Sequence, residues 1–263
     1  MTLLDLDLTG KSALVTGATA GIGLVVAEGL ARQNAEVWVN GRSQQRVESA
    51  VELTLEHVAG ANVKGVVGDV STADGVDAVI SKVPEVDVLV NTAGGTRRVA
   101  PFVELTDAEW QLNWDLNVMS GVRLSRHYLP RMLATGWGRI LLFSSNAGSY
   151  IPEHMVNYGV TKSAVESLAR ALAEQTAGTG VTSNCIVPGP TLSDWVLDAA
   201  AAKGLTPQEF EAEYFPGDVA SSLLKRFLKA EEVADMVLYV SSPASSGTNG
   251  AVLRVEGGIL RHR

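Results

Sequence analysis

The sequence predicts a doubly wound α/β domain: a parallel sheet of about seven strands, helices on both faces and a small helical lid. Three observations predict it. Short β-rich apolar runs alternate with segments of helical periodicity along the chain, which is the signature of repeated βαβ units. The strand-like runs are almost continuously apolar, as strands covered on both faces should be. No internal repeat, Pro-rich linker or low-complexity tail divides the 263 residues, so residues 1–263 read as a single domain.

The strands are expected, in order, at SALVTG (12–17), EVWVNG (36–41), VKGVVGDV (63–70), VDVLVNTAG (86–94), GRILLFSS (138–145), TSNCIVPG (182–189) and AVLRVEGG (251–258). Helical periodicity places helices between them at about 22–33, 43–58, 72–82, 106–134, 155–177 and 231–241. The interval 190–230 falls outside this alternation. It contains LSDWVLDAAAAKG and TPQEFEAEYF, which read as one or two extra helices, and an insertion of that size near the end of a sheet suggests a lid over a substrate. Its aromatic residues Trp195, Phe210, Tyr214 and Phe215 are expected to cover that substrate.

Composition narrows the function. A hydrophobic fraction of 46% can fill a sizeable core, and a net charge of -8 argues against a nucleic-acid partner. The basic clusters are short: Arg97-Arg98, Lys225-Arg226 with Lys229, and Arg261-His262-Arg263, each read as a solvated patch. The single cysteine, Cys185, leaves no intrachain disulfide or cysteine-based metal cluster and reads as a small buried hydrophobe; no metal is expected. Residues Met1 to Gly10 lack the basic and apolar regions of a secretory leader, and no run of about 18 apolar residues could span a membrane. The expectation is a soluble, cytoplasmic protein.

The first strand ends in Thr16-Gly17-Ala18-Thr19-Ala20-Gly21-Ile22-Gly23 and runs straight into a helix. Glycines at such a turn let the main chain approach a pyrophosphate, while the helix N-terminus offers free N–H donors and partial positive charge. Far downstream, Tyr158 and Lys162 lie four residues apart where a helix leaves a loop, so phenol and ammonium share one face.

These motifs, with those between them, make the chain resemble the classical short-chain dehydrogenase/reductase family from about residue 10 to 258. The turn matches T-G-x-x-x-G-I-G. Asp69-Val70 after the third strand looks like the pair that holds an adenine ring, and Asn91-Thr92-Ala93-Gly94 matches N-x-A-G. Asp115-Leu116-Asn117 matches the helix position of the family's active-site asparagine. Ser145 precedes Tyr158 by thirteen residues, the family's serine-to-tyrosine interval, which selects it over Ser144. Pro188-Gly189 matches the P-G that borders the nicotinamide, with Thr191 beside it.

The resemblance implies a Rossmann-like fold, a nicotinamide cofactor, and hydride transfer between a carbonyl and an alcohol. Asn117, Ser145, Tyr158 and Lys162 would be the catalytic set. Tyr158 would be the acid/base, its pKa lowered by the nearby ammonium and by the positive ring of the oxidised cofactor. Ser145 would steady the substrate oxygen, Lys162 would also hold the nicotinamide ribose, and Asn117 would fix a water joining Lys162 to solvent. The cofactor would be held by Gly17, Thr19, Ala20, Gly21, Ile22 and Gly23, then by Arg42, Ser43, Asp69, Val70, Asn91, Ala93 and Gly94, and finally by Tyr158, Lys162, Pro188, Gly189 and Thr191.

After the second strand, Asn40-Gly41-Arg42 lacks the acidic residue that would take hydrogen bonds from an unphosphorylated ribose. Gly41 holds that position and leaves room for a phosphate, and Arg42 follows with a guanidinium suited to it. NADP(H) is therefore preferred, with NAD(H) possible; Ala20 stands where a second basic residue is common, leaving one arginine. Gly136 and Thr179 occupy places where carrier-dependent 3-oxoacyl reductases often have basic residues. A 3-oxoacyl-(acyl carrier protein or CoA) reductase remains an alternative, as does a non-catalytic dinucleotide sensor. A methyltransferase has no use for Ser145, Tyr158 and Lys162. His154 could reach the pocket mouth. Apolar residues such as Val118, Met119, Val122, Leu124 and Leu129 lie on more than one helix face, and family members commonly pair these helices, so a homotetramer is expected, with a dimer as fallback.

Overall fold

The computed structural model describes residues 4–96, 98–217 and 219–261. Arg97, His262 and Arg263, which belong to two of the basic clusters, lie outside the described residues.

The strands form one parallel sheet in the order β3-β2-β1-β4-β5-β6-β7. They are β1 (Ser12–Thr16), β2 (Glu36–Gly41), β3 (Asn62–Val67), β4 (Val88–Asn91), β5 (Gly138–Phe143), β6 (Val181–Pro188) and β7 (Val252–Val255). Parallel register such as Val15 opposite Val39 and Val90 fixes β1 at the centre. Alternate residues of each run supply opposite faces. Ala13 and Val15 of β1, with Val88 and Val90 of β4, pack beneath α1 (Gly21–Arg32) and α9 (Ala230–Ser241). Leu14 and Leu89 turn the other way, towards α3 (Ala73–Lys82), α5 (Ser120–Thr135) and α6 (Val156–Gln175). Strands buried on both sides must be apolar at every position, so they carry no alternation. α2 (Gln44–His57) returns the chain from β2 to β3.

The expected helix over 106–134 is interrupted. α4 (Asp107–Trp114) ends in a π-helical turn, Asp115–Met119, before α5 begins. A capping box of Thr106 with Glu109 starts α4 and is visible in sequence, whereas the wide turn has no local residue signal. Within it, Asn117 is held on both sides of its amide by neighbouring elements, as described below.

The interval 190–230 folds as two helices, α7 (Asp194–Ala202) and α8 (Pro207–Tyr214). They enclose a core of their own. Phe210 and Phe215 are buried against Phe227, Val196 and Ile259, and the Phe210 and Phe227 rings stack at 6.1 Å. This narrows one expectation: Phe210 and Phe215 are buried inside this insertion and offer little surface to any ligand, whereas Trp195 is 59% exposed. The two ends of the insertion are tied together where Leu192 N donates to Leu228 O and Leu228 N to Pro190 O, at 2.8 and 2.9 Å.

Two further expectations change. Val118 and Leu124 are buried in the chain's own core, so they offer nothing to a second copy; Met119, Val122 and Leu129 are half-buried. Arg98 is not simply solvated, since it pairs with Glu104 and Glu109 at 3.2 and 2.8 Å. Likewise Arg226 pairs with Glu232, and Lys225 Nζ donates to Ala220 O. Among the described residues no helix is long and apolar enough to cross a membrane.

Candidate active site

The strand order reverses beside β1, between β1 and β4, and the carboxyl ends of the strands splay there into a crevice. A cleft of about 330 Å³ occupies this place. Of the expected cofactor residues, Gly17, Thr19, Ala20, Arg42, Asp69, Val70, Ala93 and Gly94 line it. Gly21, Ile22 and Gly23 form the first turn of α1 beside it, and Asn91 lies beneath. Ser43 caps no N–H of α2 with its side chain and is not among the lining residues. Pro188, Gly189 and Thr191 are not part of this cleft; they leave the neighbouring strand end of β6.

The glycines are there for space. A Cβ on Gly23 would lie 2.5 Å from Gly17 O and 2.7 Å from Thr92 Oγ1, so only glycine lets α1 meet the strand end. Gly17 has a φ of 62° and would crowd Ala93 with any side chain. Ala20 precedes α1 with no side-chain cap, which leaves the first helical N–H groups available to an anion. A hydrogen-bonded chain holds the floor: Thr16 Oγ1 donates to Asn91 Oδ1 at 2.7 Å, and Asn91 Nδ2 donates to Ser120 Oγ at 3.1 Å. Asn91 thus joins β1, β4 and α5, using side chains rather than satisfying stray main chain.

Gly41 lines the cleft beside Arg42, and its Cβ direction is filled by Thr19, whose Cγ2 would lie 2.4 Å away, so a side chain here would have to displace Thr19. The sequence reading missed a residue. Arg46, one turn into α2, lines the same cleft as Arg42, and neither guanidinium has an ion-pair partner among the described residues. The available signal was a second arginine in the first turn of the helix that follows Arg42.

The four residues of the expected catalytic set come from different elements and converge. Ser145 follows β5 and heads a 3₁₀ turn, Asn146–Gly148, accepting a 3.2 Å hydrogen bond from Ala147 N. Tyr158 and Lys162 lie on the first turns of α6. The Lys162 Nζ sits 5.5 Å from the Tyr158 ring centroid and donates to Phe143 O at 2.7 Å. Asn117, buried, donates from Nδ2 to Gly95 O and to Thr161 Oγ1, both at 3.0 Å, and its Oδ1 accepts from Gly95 N at 2.9 Å. Its side chain therefore braces the loop after β4 against α6. A Cβ on Gly94 would lie 2.7 Å from Lys162 Nζ and 3.0 Å from Asn117 Oδ1, so this glycine lets loop, lysine and asparagine meet. Thr161 and Gly95 are functional neighbours that no motif indicated. His154 is exposed; its main-chain carbonyl accepts from Ala100 N at 3.2 Å, joining two loops at the rim.

The electrostatics differ from the sequence expectation. In the chain alone, burial raises the Tyr158 pKa, and the Ser145 side chain, within reach of the phenol, pulls it down by less. The Lys162 ammonium is turned to a carbonyl oxygen instead of the phenolic oxygen, and burial lowers its own pKa to about 8. Burial pushes the Cys185 thiol up to about 12, in keeping with an inert core cysteine. No group of three or more potential metal ligands occurs among the described residues.

The short chain dehydrogenase family profile matches residues 11–204. The chain belongs to the short-chain dehydrogenase/reductase family. It is 42% identical to the uncharacterized oxidoreductase YvrD of Bacillus subtilis (strain 168), across 98% of this chain and 99% of that protein. It is 33% identical to the gluconate 5-dehydrogenase of Gluconobacter oxydans (strain 621H), across 96% of each. Among solved structures, the L-sorbose reductase of Gluconobacter frateurii, complexed with NADPH and L-sorbose, superposes with a TM-score of 0.91 at 32% identity, covering 99% of this chain and all of that one. This short-chain dehydrogenase/reductase is accordingly an NAD(P)-dependent oxidoreductase, and its sheet is the Rossmann-like one.

Proposed function

We propose that this protein reduces a small carbonyl compound, or oxidises the corresponding secondary alcohol, with NADP(H) preferred over NAD(H). The observation that carries the chemistry is the convergence of Ser145, Tyr158, Lys162 and Asn117 at the open end of the sheet. The bound nicotinamide supplies or accepts the hydride and, when oxidised, places a positive ring in the site. Tyr158 gives its phenolic proton to the carbonyl oxygen in reduction and takes it back in oxidation. Ser145 donates to the same oxygen as charge develops. Lys162, held by Phe143 O, binds ribose hydroxyls and tunes Tyr158 through its charge. Asn117 keeps Gly95 and Thr161 in place beside them.

The cleft fits the cofactor by its own features: uncapped N–H groups on α1, glycines where a Cβ would collide, and two guanidinium groups at the far end. Arg42 and Arg46 give the preference for a 2'-phosphate its basis. The NADPH in the L-sorbose reductase complex supports the same choice. The reading extends to the whole chain as one domain, with residues 190–230 closing over the substrate and Trp195 the aromatic residue placed to meet it. A homotetramer, or at least a dimer, accounts for Leu112 and Trp114 on α4, which are 54% and 37% exposed. A 3-oxoacyl reductase is the second reading, supported by 30% identity to the 3-oxoacyl-[acyl-carrier-protein] reductase FabG of Aquifex aeolicus (strain VF5).

The test is kcat/KM with NADPH and NADH over a panel of ketones, keto-sugars and a 3-oxoacyl thioester. An Arg42→Ala/Arg46→Ala variant should lose about 100-fold with NADPH and little with NADH, the loss of two charge-assisted contacts. Equal losses with both cofactors would show that the arginines do not read the phosphate.

A further inference from the structure

Behind Ser145 lies a second polar cluster that the proposed chemistry does not use. The neighbouring hydroxyl, Ser144 Oγ, is 2.8 Å from Glu166 Oε1 and 2.9 Å from the main-chain oxygen of Lys162. Glu166 stands one turn beyond Lys162 on α6, so one carboxylate joins the end of β5 to the helix that carries Tyr158. The far end of the same turn is tied to the same helix, because Ser163 Oγ donates to Gly148 O. Gly148 closes over the cluster: a Cβ there would lie 3.0 Å from Ser144 Oγ and 3.1 Å from Glu166 Oε1. Residues 144 and 148 are therefore both fastened to α6, and Ser145 is suspended between them.

We propose that Glu166 is a positioning residue: by holding Ser144 it fixes the adjacent Ser145 at its working place beside the Tyr158 phenol. The proposal rests on reading Ser145 and Tyr158 as the reacting pair. Glu166 has no contact with the phenol, and nothing in the family motifs required an acid at this position; the Y-x-x-x-K pair is complete at Lys162. Among the described residues, Glu166 acts by its charge on the Cys185 thiol, which it helps push up, and the Lys162 ammonium acts on the same thiol in the opposite sense. Losing Glu166 leaves Ser144 with only its contact to Lys162 O and loosens that end of the turn on α6. The pull of Ser145 on the phenol then weakens, and Tyr158 becomes harder to ionise.

The experiment measures kcat, KM and the pH profile of alcohol oxidation for Glu166→Ala, Glu166→Gln, Ser144→Ala and the Glu166→Ala/Ser144→Ala pair, beside Tyr158→Phe. Glu166→Ala should lower kcat about tenfold while KM for NADP⁺ stays within about twofold, as expected when one hydrogen bond that orients a reacting group is lost. Its profile should move to higher pH, because oxidation needs the Tyr158 phenolate. Glu166→Gln, which keeps an acceptor for Ser144, should restore most of both. The double variant should cost no more than Ser144→Ala alone, since removing that hydroxyl already cuts the link to Glu166 along with the contact to Lys162 O. Should Glu166→Ala fold poorly, Ser144→Ala removes only a hydroxyl and carries the same readouts. An unshifted profile in Glu166→Ala or Ser144→Ala, or a glutamine variant no better than alanine, overturns the proposal. Full activity in Tyr158→Phe would instead remove the reading on which it rests.

Discussion

The turn after β1 and the helical insertion after β6 lie beyond strand ends of the same sheet, yet they are built on opposite principles. The turn is specified by what it excludes. Gly17, Gly23 and Gly94 stand where any side chain would strike Ala93, Gly17 O or Lys162 Nζ. Such a surface presents main-chain N–H groups to a ligand, so its residue types are fixed by steric contact. The lid is specified by what it encloses: Phe210, Phe215 and Phe227 fill a small core that can hold its shape while the residues facing outward vary. A cofactor common to many enzymes can be read by backbone; a particular substrate has to be read by side chains.

That contrast predicts separable damage. Phe210→Ala should have the largest effect on stability, about 4 kcal/mol for a buried aromatic ring, but the loss should be confined to the lid. Proteolysis should then cut within 190–228 while NADPH binding, followed by fluorescence, stays near normal. Loss of cofactor affinity together with the lid would show that the two regions fold as one unit.

Gly23→Ala should do the reverse. With a main-chain oxygen 2.5 Å from the new methyl, the turn must shift, and cofactor Kd should rise on the order of 100-fold, or about 2.7 kcal/mol. Protease sensitivity of the lid should not change. A variant that binds cofactor normally would mean that α1 can slide away from the strand end at little cost.

This difference also explains what could be read from sequence. The five inner strands were legible because doubly covered strands are largely apolar, and the edge strands β3 and β7, which are partly exposed, were legible through their valines and the alternation with helices. Ser145, Tyr158, Lys162 and Asn117 stand out through the family resemblance, and the structure places them near one another, which is what the proposed chemistry rests on. The π-helical turn at Asp115–Met119 was not legible, since contacts from Gly95 and Thr161 accompany it and these are remote in sequence. Arg46 lies on the helix after β2, away from the glycine-rich turn where a second cation is common, so no motif marks it. Composition cannot tell a miniature core such as that of Phe210, Phe215 and Phe227 from a binding surface.

A smaller effect concerns the lysine buried between these regions. The Lys162 pKa falls from the ordinary 10.5 to about 8, so between those values the unfolded chain binds a proton that the folded chain does not. Stability of the cofactor-free protein should therefore rise with pH from about 8, by roughly 1 kcal/mol per pH unit. Cys185 acts in the opposite sense above its ordinary 9.0, where the folded chain keeps the thiol proton, so the rise should be clearest between pH 8 and 9. Lys162→Met should flatten it. Chemical denaturation across that range reads the slope directly, and a wild-type curve that is already flat would mean that the lysine is not buried in solution.

In the proposed chemistry Tyr158 moves the proton, while the glycine-lined cleft holds the cofactor largely without the phenolic hydroxyl. Single-turnover reduction of a ketone by Tyr158→Phe, with NADPH bound beforehand, tests both parts. NADPH should bind with nearly wild-type affinity, because the aromatic ring is retained, while oxidation of the cofactor slows by about 100-fold or more. Transfer within a few fold of wild type would contradict the assignment of Tyr158 as the acid/base.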